Sequence, residues 1–161
     1  MLQRVDQANL QIHPGKCAFA QSRGQYLGFV LSEKGVAASP KKVKAAQNFP
    51  TPKRVKDFRS FLGLASFYRR LVSKFAEIAK HLTTLTRQDQ PFTCGTNQQE
   101  AFRSLKDKLC TTAVLAFPDF SLPFILTTDA SKTALGAILS QVQKGEERPN
   151  AYASRQTNRA E

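Results

Sequence analysis

Twelve lysine and arginine residues lie between Ser39 and Arg87, and their ammonium and guanidinium groups could bind phosphate oxygens. Only Asp57 and Glu77 oppose them, so this basic segment has a net charge of +10, out of the +12 that the 161-residue chain carries. A charge concentrated in this way is typical of a nucleic-acid-binding surface, because each phosphate that a cation neutralises releases counterions. The alternatives are a solvated helix surface that keeps the protein soluble and, less favoured by the composition, a membrane surface.

In one predicted helix of the basic segment, cations and apolar residues lie on different faces. Apolar residues at helical spacing predict a buried face formed by Phe58, Phe61, Leu62, Ala65, Tyr68 and Val72. A second face holds Lys56, Arg59, Gly63, Ser66 and Arg70. This second face is cationic at its ends and small in its middle. A bulky anionic partner could therefore lie close against it.

Start signals predict where the helices begin. Ser39-Pro40 and Thr51-Pro52 each place a hydroxyl residue before proline, a pattern typical of a helix N-terminus. A third helix is predicted from Phe75 to Leu85. A fourth is predicted to open at Asn97, because Glu100 three residues later completes a capping-box pattern.

Two groups of short strands are predicted on either side of the helices. The first is a hairpin of residues 17–20 and 25–31 around a turn at 21–24, followed by a second turn at 32–35 that leads to Val36. The second group comprises strands at 124–128, 134–141 and 150–154, with a turn at 144–148. Helices and strands in separate blocks favour an α+β fold.

The cysteines and the apolar runs exclude several classes of protein. Cys17, Cys94 and Cys110 are odd in number and far apart, which predicts buried thiols in a reducing compartment rather than a disulfide set or a zinc site. No apolar run approaches the roughly 20 residues of a membrane span, and the first residues lack the apolar region of a signal peptide. The sequence therefore predicts an intracellular protein, cytoplasmic or nuclear, without a membrane partner.

A set of short motifs follows one order along nearly the whole chain. The motifs are Lys16-Cys17-Ala18-Phe19, Tyr26-Leu27-Gly28-Phe29-Val30, Pro40-Lys41-Lys42-Val43, Phe61-Leu62-Gly63-Leu64, Phe67-Tyr68-Arg69-Arg70, Ala101-Phe102 with Leu105-Lys106, Pro118-Asp119-Phe120, Thr128-Asp129-Ala130-Ser131 and Tyr152-Ala153-Ser154-Arg155. Each is weak alone, but the collinear set is specific. It resembles the Pol polyprotein of LTR retrotransposons of the Ty3/gypsy type. Cys94 and His81 depart from that pattern, which tends to have Trp and Pro there.

The resemblance implies four parts within the α+β fold. Residues 1–37 would be the end of a reverse transcriptase palm with its primer-grip hairpin, 38–90 a helical thumb, 91–118 a linking helix, and 119–161 the N-terminal half of an RNase H-like mixed sheet. Enzymes of this family copy RNA into DNA and degrade the RNA strand of the hybrid with Mg²⁺. The implied partners are a template–primer duplex, either DNA or an RNA–DNA hybrid, and other Pol segments.

The resemblance also gives roles to individual residues of the two nucleic-acid-binding elements. In the primer-grip hairpin, Tyr26, Gly28 and Phe29 would hold the primer end, with Gly28 allowing the sugar–phosphate chain to approach closely. On the thumb helix, the cations Lys56, Arg59, Arg69 and Arg70 would contact phosphates without reading sequence. Leu27 and Phe29 are expected to be ordinary core residues of a strand in either case, and the alternative for some of the cations is that they are simply solvated.

Asp129 matches the first catalytic aspartate of the RNase H-like domain and would be a metal ligand. Its predicted place at the end of a strand, beside small residues, suits a carboxylate that binds metal. Such nucleases hold two Mg²⁺ ions about 4 Å apart with several carboxylates, so one aspartate is not sufficient. The alternatives are that Asp129 caps a turn, and that Glu161 supplies a second carboxylate.

The sequence contains no Tyr-x-Asp-Asp motif, which carries the polymerase carboxylates in this family. As an isolated chain, the protein is therefore expected to bind duplex without polymerising. Whether it is an enzyme stays open. Two alternatives are a non-enzymatic nucleic-acid-binding remnant and a gene-model fragment with no stable fold.

Overall fold

The computed structural model describes residues 2–87 and 94–158. These residues form α-helices and β-strands in the order α1 (Leu2–Gln7), β1 (Arg23–Tyr26), β2 (Phe29–Ser32), β3 (Gly35–Ala38), α2 (Pro40–Gln47), α3 (Val55–Phe67), α4 (Phe75–Leu85), α5 (Thr96–Cys110), β4 (Ile125–Ala130), β5 (Ala134–Gln143) and β6 (Glu146–Gln156). A small sheet precedes the main helical block and a second sheet follows it. The predicted α+β fold is confirmed.

The first sheet pairs β1, β2 and β3 in antiparallel order. A two-residue turn of Leu27 and Gly28 joins β1 to β2, and both residues have positive φ, 46° and 81°. The predicted hairpin is wrong: residues 17–20 form no strand, and the turn lies inside the stretch 25–31 that was predicted to be extended. Leu-Gly lacks the Asn-Gly or Asp-Gly signature that marks such turns in a sequence. The second predicted turn, at 32–35, is confirmed.

The helices begin at or close to their predicted positions. Helix α2 begins at Pro40 and α4 spans Phe75–Leu85, as predicted. Helix α3 begins at Val55, later than the Thr51-Pro52 signal, because the Asp57 carboxylate accepts hydrogen bonds from the backbone N–H groups of Lys53 and Arg54, both at 3.1 Å. An acidic side chain inside the first turn satisfies free N–H groups and complements the helix dipole.

Helix α5 begins at Thr96, one residue before the predicted start. The Gly95 N–H donates to the Gln98 side-chain oxygen at 3.1 Å, so Gln98 fills the role that Glu100 was predicted to fill. Helices α3, α4 and α5 enclose the core. Phe61 is fully buried, and its ring centroid lies 4.6 Å from that of Phe102 and 5.2 Å from that of Phe49.

The second sheet pairs β4, β5 and β6 in antiparallel order. Lys144 and Gly145 form the turn between β5 and β6, with φ of 55° and 83°, inside the predicted turn at 144–148. Asp129 lies within β4, opposite Gly136, rather than after the end of the strand as predicted. The reason is that the pairing with β5 continues as far as Ala130.

The linker, residues 111–124 between α5 and β4, contacts both sheets. Leu115 exchanges two backbone hydrogen bonds with Val36 of β3, at 2.8 and 2.9 Å, and the next N–H, of Ala116, donates to the Pro149 oxygen of β6 at 2.8 Å. Gly35 makes this pairing possible, since a Cβ there would lie 2.0 Å from the Leu115 oxygen. The first sheet, the linker and the second sheet are thus in direct contact.

The described residues show how far the three thiols are buried and how long and apolar the helices are. Cys17, Cys94 and Cys110 are free thiols, but they are half-buried rather than buried as predicted. Within residues 2–87 and 94–158, the helices are too short or too polar to cross a membrane.

Candidate nucleic-acid interface and carboxylate site

The basic face of α3 is exposed to solvent. Lys56, Arg59, Gly63 and Ser66 are exposed, while Phe58, Phe61 and Ala65 on the opposite side of the helix are buried. A Cβ added at Gly63 would meet no atom within 4 Å, so the middle of the face is open. The face could accommodate a bulky anion along its length.

Arg59 is exposed to solvent and also forms a hydrogen bond within the protein. One of its guanidinium nitrogens donates to the Thr86 carbonyl oxygen at 2.9 Å. Thr86 is the residue that follows the last turn of α4, where carbonyl groups lack partners within the helix. Arg59 therefore links α3 to the C-terminus of α4 and keeps further N–H donors on the exposed face.

Arg69 is held by the protein itself. Its guanidinium group donates to the backbone oxygen of Ser154 in β6 and lies 5.7 Å from the ring centroid of Phe75, within the range of cation–π attraction. These contacts connect the short 3-10 helix at Arg69–Leu71 to the second sheet. The structure thus gives Arg69 a packing role that the sequence did not indicate.

Tyr26, Phe29 and Arg70 converge on one groove of about 280 Å³. Tyr26 is largely exposed, Phe29 is half-buried and Arg70 is exposed. The other lining residues, which come from β2, β3, the short 3-10 helix, the linker and β6, are Leu31, Val36, Leu71, Leu115, Ala116, Phe117, Pro118 and Asn150. Three of the predicted nucleic-acid-binding residues therefore share one surface, with Arg70 as the cation among them.

Gly28 serves the packing of the hairpin. Its φ of +81° favours glycine, and an added Cβ would lie 3.2 Å both from the Phe67 ring and from the Tyr68 hydroxyl. The Tyr68 hydroxyl donates to the Gly28 oxygen at 2.7 Å. Burial raises the pKa of Tyr68 above its ordinary value, which keeps this donor protonated. The requirement for a small residue at Gly28 thus comes from the protein's own aromatic rings.

Phe67 is a surface residue that the sequence analysis did not single out. It is 51% exposed, and its ring stacks on that of Phe29 with centroids 5.2 Å apart. Leu27, predicted to be a core residue of a strand, is instead 70% exposed because it lies in the neighbouring turn, next to exposed Tyr26. Phe67 is not among the residues predicted to form the buried face of α3. This position is the one signal in the sequence that its ring could be exposed.

Asp129 carries an ion pair with Lys74. The Lys74 Nζ lies 2.9 Å from the Asp129 Oδ2, and both side chains are mostly exposed. The hydrogen bond and the charge of Lys74 lower the pKa of Asp129 below its ordinary value, and the same pair raises the pKa of Lys74. The sequence analysis missed Lys74, because residues 55 positions apart meet only in the folded chain.

The described carboxylates do not fit a pair of divalent cations. Among residues 2–87 and 94–158, no group of three or more His, Cys, Asp and Glu side chains is arranged to hold a metal ion. The carboxylate of Asp129 is bonded to an ammonium group instead. Glu161, the other carboxylate considered from the sequence, lies outside the described residues.

Sequence comparison shows what this chain is similar to. Residues 95–161 match the family model described as the RNase H-like domain found in reverse transcriptase. The whole chain is 40% identical over 172 aligned positions to the Retrovirus-related Pol polyprotein from transposon opus of Drosophila melanogaster, of which it covers 17%. With the Retrovirus-related Pol polyprotein from transposon gypsy of the same organism, the chain is 39% identical over 160 positions, which cover 92% of this chain and 15% of that protein.

Structure comparison agrees with the sequence matches. The foamy viral protease-reverse transcriptase, solved in complex with dsDNA, superposes with a TM-score of 0.75 at 25% sequence identity. The superposition covers 91% of this chain and 31% of the viral one. The chain therefore spans about a sixth of the length of these curated relatives and about a third of this solved structure.

Proposed function

The chain belongs to the Pol polyproteins of Ty3/gypsy-type LTR retrotransposons, as a segment with reverse transcriptase and RNase H-like parts, and from this premise we propose that it binds a template–primer duplex. The observation that carries the proposal is the open basic face of α3, where Lys56 and Arg59 precede the small residues Gly63 and Ser66. A phosphate backbone can approach such a face without a steric clash. Cations there gain affinity through counterion release.

The β1–β2 turn supplies the second part of the proposed surface. Tyr26 and Phe67 present exposed rings beside the groove that contains Arg70, so an aromatic surface and a cation lie side by side. Aromatic rings stack on bases without selecting a sequence, and arginine binds phosphate. We assign the primer-grip role to Tyr26, Gly28 and Phe29, with Gly28 acting by holding the turn in place.

The division into palm end (1–37), thumb (38–90), linking helix (91–118) and RNase H-like part (119–161) is part of the same proposal. The proposed partner is a DNA duplex or an RNA–DNA hybrid, and other Pol segments would complete the enzyme. The foamy viral structure, a complex with dsDNA, supports the choice of a duplex. Phosphate contacts would position the duplex without reading its sequence.

Reverse transcriptases with an RNase H-like domain use divalent metal ions, and for the complete enzyme we propose Mg²⁺. Asp129 is the proposed counterpart of the first catalytic aspartate. A two-metal mechanism needs several carboxylates around the scissile phosphate, whereas the described residues offer Asp129 paired with Lys74. We therefore assign no cleavage or polymerisation step to this chain alone.

Fluorescence anisotropy with a labelled RNA–DNA hybrid tests the proposed surface. Arg70→Gln removes the cation of the groove and is expected to weaken binding about threefold to tenfold, the effect of losing one charged hydrogen bond of roughly 1 kcal/mol. Lys108→Gln, an exposed lysine on α5, removes the same charge elsewhere and is the matched control. Equal affinities of the two variants would refute the role of Arg70.

Incubation of the hybrid with Mg²⁺ separates binding from catalysis. The proposal expects the RNA strand to remain intact while the complex forms. Cleavage that disappears in Asp129→Asn would instead show a nuclease site in the chain and contradict this part of the proposal.

A further inference from the structure

We propose that Lys74 is a positioning residue that supplies Asp129 with a cation of the protein's own, so that a divalent metal ion reaches this carboxylate only by displacing the lysine. The inference rests on the proposed role of Asp129 as the counterpart of a metal ligand. It starts from the 2.9 Å contact between the Lys74 Nζ and the Asp129 Oδ2.

The backbone at Lys74 is set for this contact. Lys74 precedes the first residue of α4 and has φ 57° and ψ 29°, in the left-handed region. Lysine has no local hydrogen bond that favours this region, unlike asparagine, and it has a Cβ, unlike glycine. A lysine at a backbone position that favours glycine or asparagine is consistent with a role for its ammonium group.

Hydrogen bonds attach the start of α4 to the sheet that contains Asp129. The N–H of Ala76, two residues after Lys74, donates to the Ser154 hydroxyl at 3.0 Å. The Gln156 side chain donates to the Ala76 oxygen at 3.4 Å, and Arg69 donates to the Ser154 oxygen. The start of α4 is therefore attached to β6, two strands away from Asp129 in the same sheet.

The surroundings of Lys74 favour its charged form. Glu77 lines the same cavity of about 90 Å³ as Lys74 and Asp129, and its negative charge adds to that of Asp129 in favouring the ammonium form. Ser131 and Ser154 also line this cavity, and they add hydroxyl groups rather than charge. A divalent ion at Asp129 would experience the repulsion of Lys74 at close range.

Paramagnetic broadening by Mn²⁺ measures this competition in the whole chain. The amide NMR signals of Thr128, Asp129 and Ala130 are followed while Mn²⁺ is added to the wild type and to Lys74→Gln. The variant is expected to reach half-broadening at about fivefold lower Mn²⁺, which corresponds to about 1 kcal/mol, the upper value for an exposed ion pair.

Three variants complete the design. Lys80→Gln removes a charge from α4 and is expected to leave the Mn²⁺ concentration at half-broadening unchanged. Lys74→Arg keeps the cation next to Asp129 and is expected to leave it unchanged as well. Asp129→Asn is expected to abolish the local broadening. Thermal melting of each variant checks that it is folded.

A wild-type midpoint in Lys74→Gln, or broadening that survives in Asp129→Asn, would overturn the inference. Duplex binding is measured on the wild type without divalent metal, so it does not test the competition between Lys74 and a metal ion. Its failure would refute the proposed function, whereas a failure of the Mn²⁺ titration would refute only the role of Lys74.

Discussion

At the scale of single residues, the structure assigns two glycines opposite tasks. Gly28 adopts a positive φ and is enclosed by Phe67 and Tyr68, whereas Gly63 is helical and faces open space. The sequence shows both as glycines within motifs of the same family. Only the backbone conformation and the neighbouring rings distinguish a residue that the hairpin needs from one that the helix merely tolerates.

Gly28→Ala is expected to lower the free energy of unfolding by about 1–2 kcal/mol, because alanine disfavours the left-handed region and its methyl group would contact Phe67 and Tyr68. Gly63→Ala is the matched control and is expected to raise stability by up to about 1 kcal/mol, the difference in helix propensity. Urea unfolding followed by circular dichroism measures both. Equal shifts would contradict the assigned conformations.

The ion pair of Lys74 and Asp129 predicts a dependence of stability on pH. The pKa of Asp129 is lowered in the folded protein, so its stabilising effect is present above the ordinary aspartate pKa, about 3.9, and is lost as the pH falls through the lowered value. The wild type is therefore expected to melt slightly above Lys74→Gln at pH 7 and together with it at pH 2. A difference that persists at pH 2 would show that Lys74 acts through packing.

At the scale of helices and strands, the sequence predicted the elements with strong local signals. The predicted span of α4 and the start of α2 at the Ser39-Pro40 signal are correct. The β1–β2 hairpin was misplaced, because its turn uses Leu27 in a conformation that leucine rarely adopts. The start of α3 was misplaced because Asp57 forms the cap from inside the helix.

Contacts between elements depend on few side chains and can be tested singly. Ser154→Ala removes the hydroxyl that accepts from the Ala76 N–H and is expected to lower the unfolding free energy by about 1–2 kcal/mol, because that N–H loses its partner. Ser22→Ala, at an exposed serine before β1, is the control and is expected to change it by less than about 0.5 kcal/mol. A neutral Ser154→Ala would show that α4 and β6 are not coupled through this bond.

At the scale of the whole molecule, the collinear motifs predicted the family and the α+β fold, and the charge distribution predicted a basic surface. The pairing of Lys74 with Asp129, the attachment of Arg69 to β6 and the convergence of Tyr26, Phe29 and Arg70 were not predictable. Each joins residues that are more than 40 positions apart in the chain. Arg69 and the residues after Lys74 meet the second sheet through the hydrogen bonds of Arg69 and Ala76 to Ser154, and Arg70 meets Tyr26 and Phe29 at one groove.

The salt dependence of duplex affinity tests the central claim most directly. If the basic face of α3 binds phosphates, the logarithm of the association constant falls linearly with the logarithm of the salt concentration, and Lys56→Gln makes the slope shallower by about 1. Lys108→Gln is expected to keep the wild-type slope. An affinity that does not change with salt, or a slope that Lys56→Gln leaves unchanged, would contradict the account.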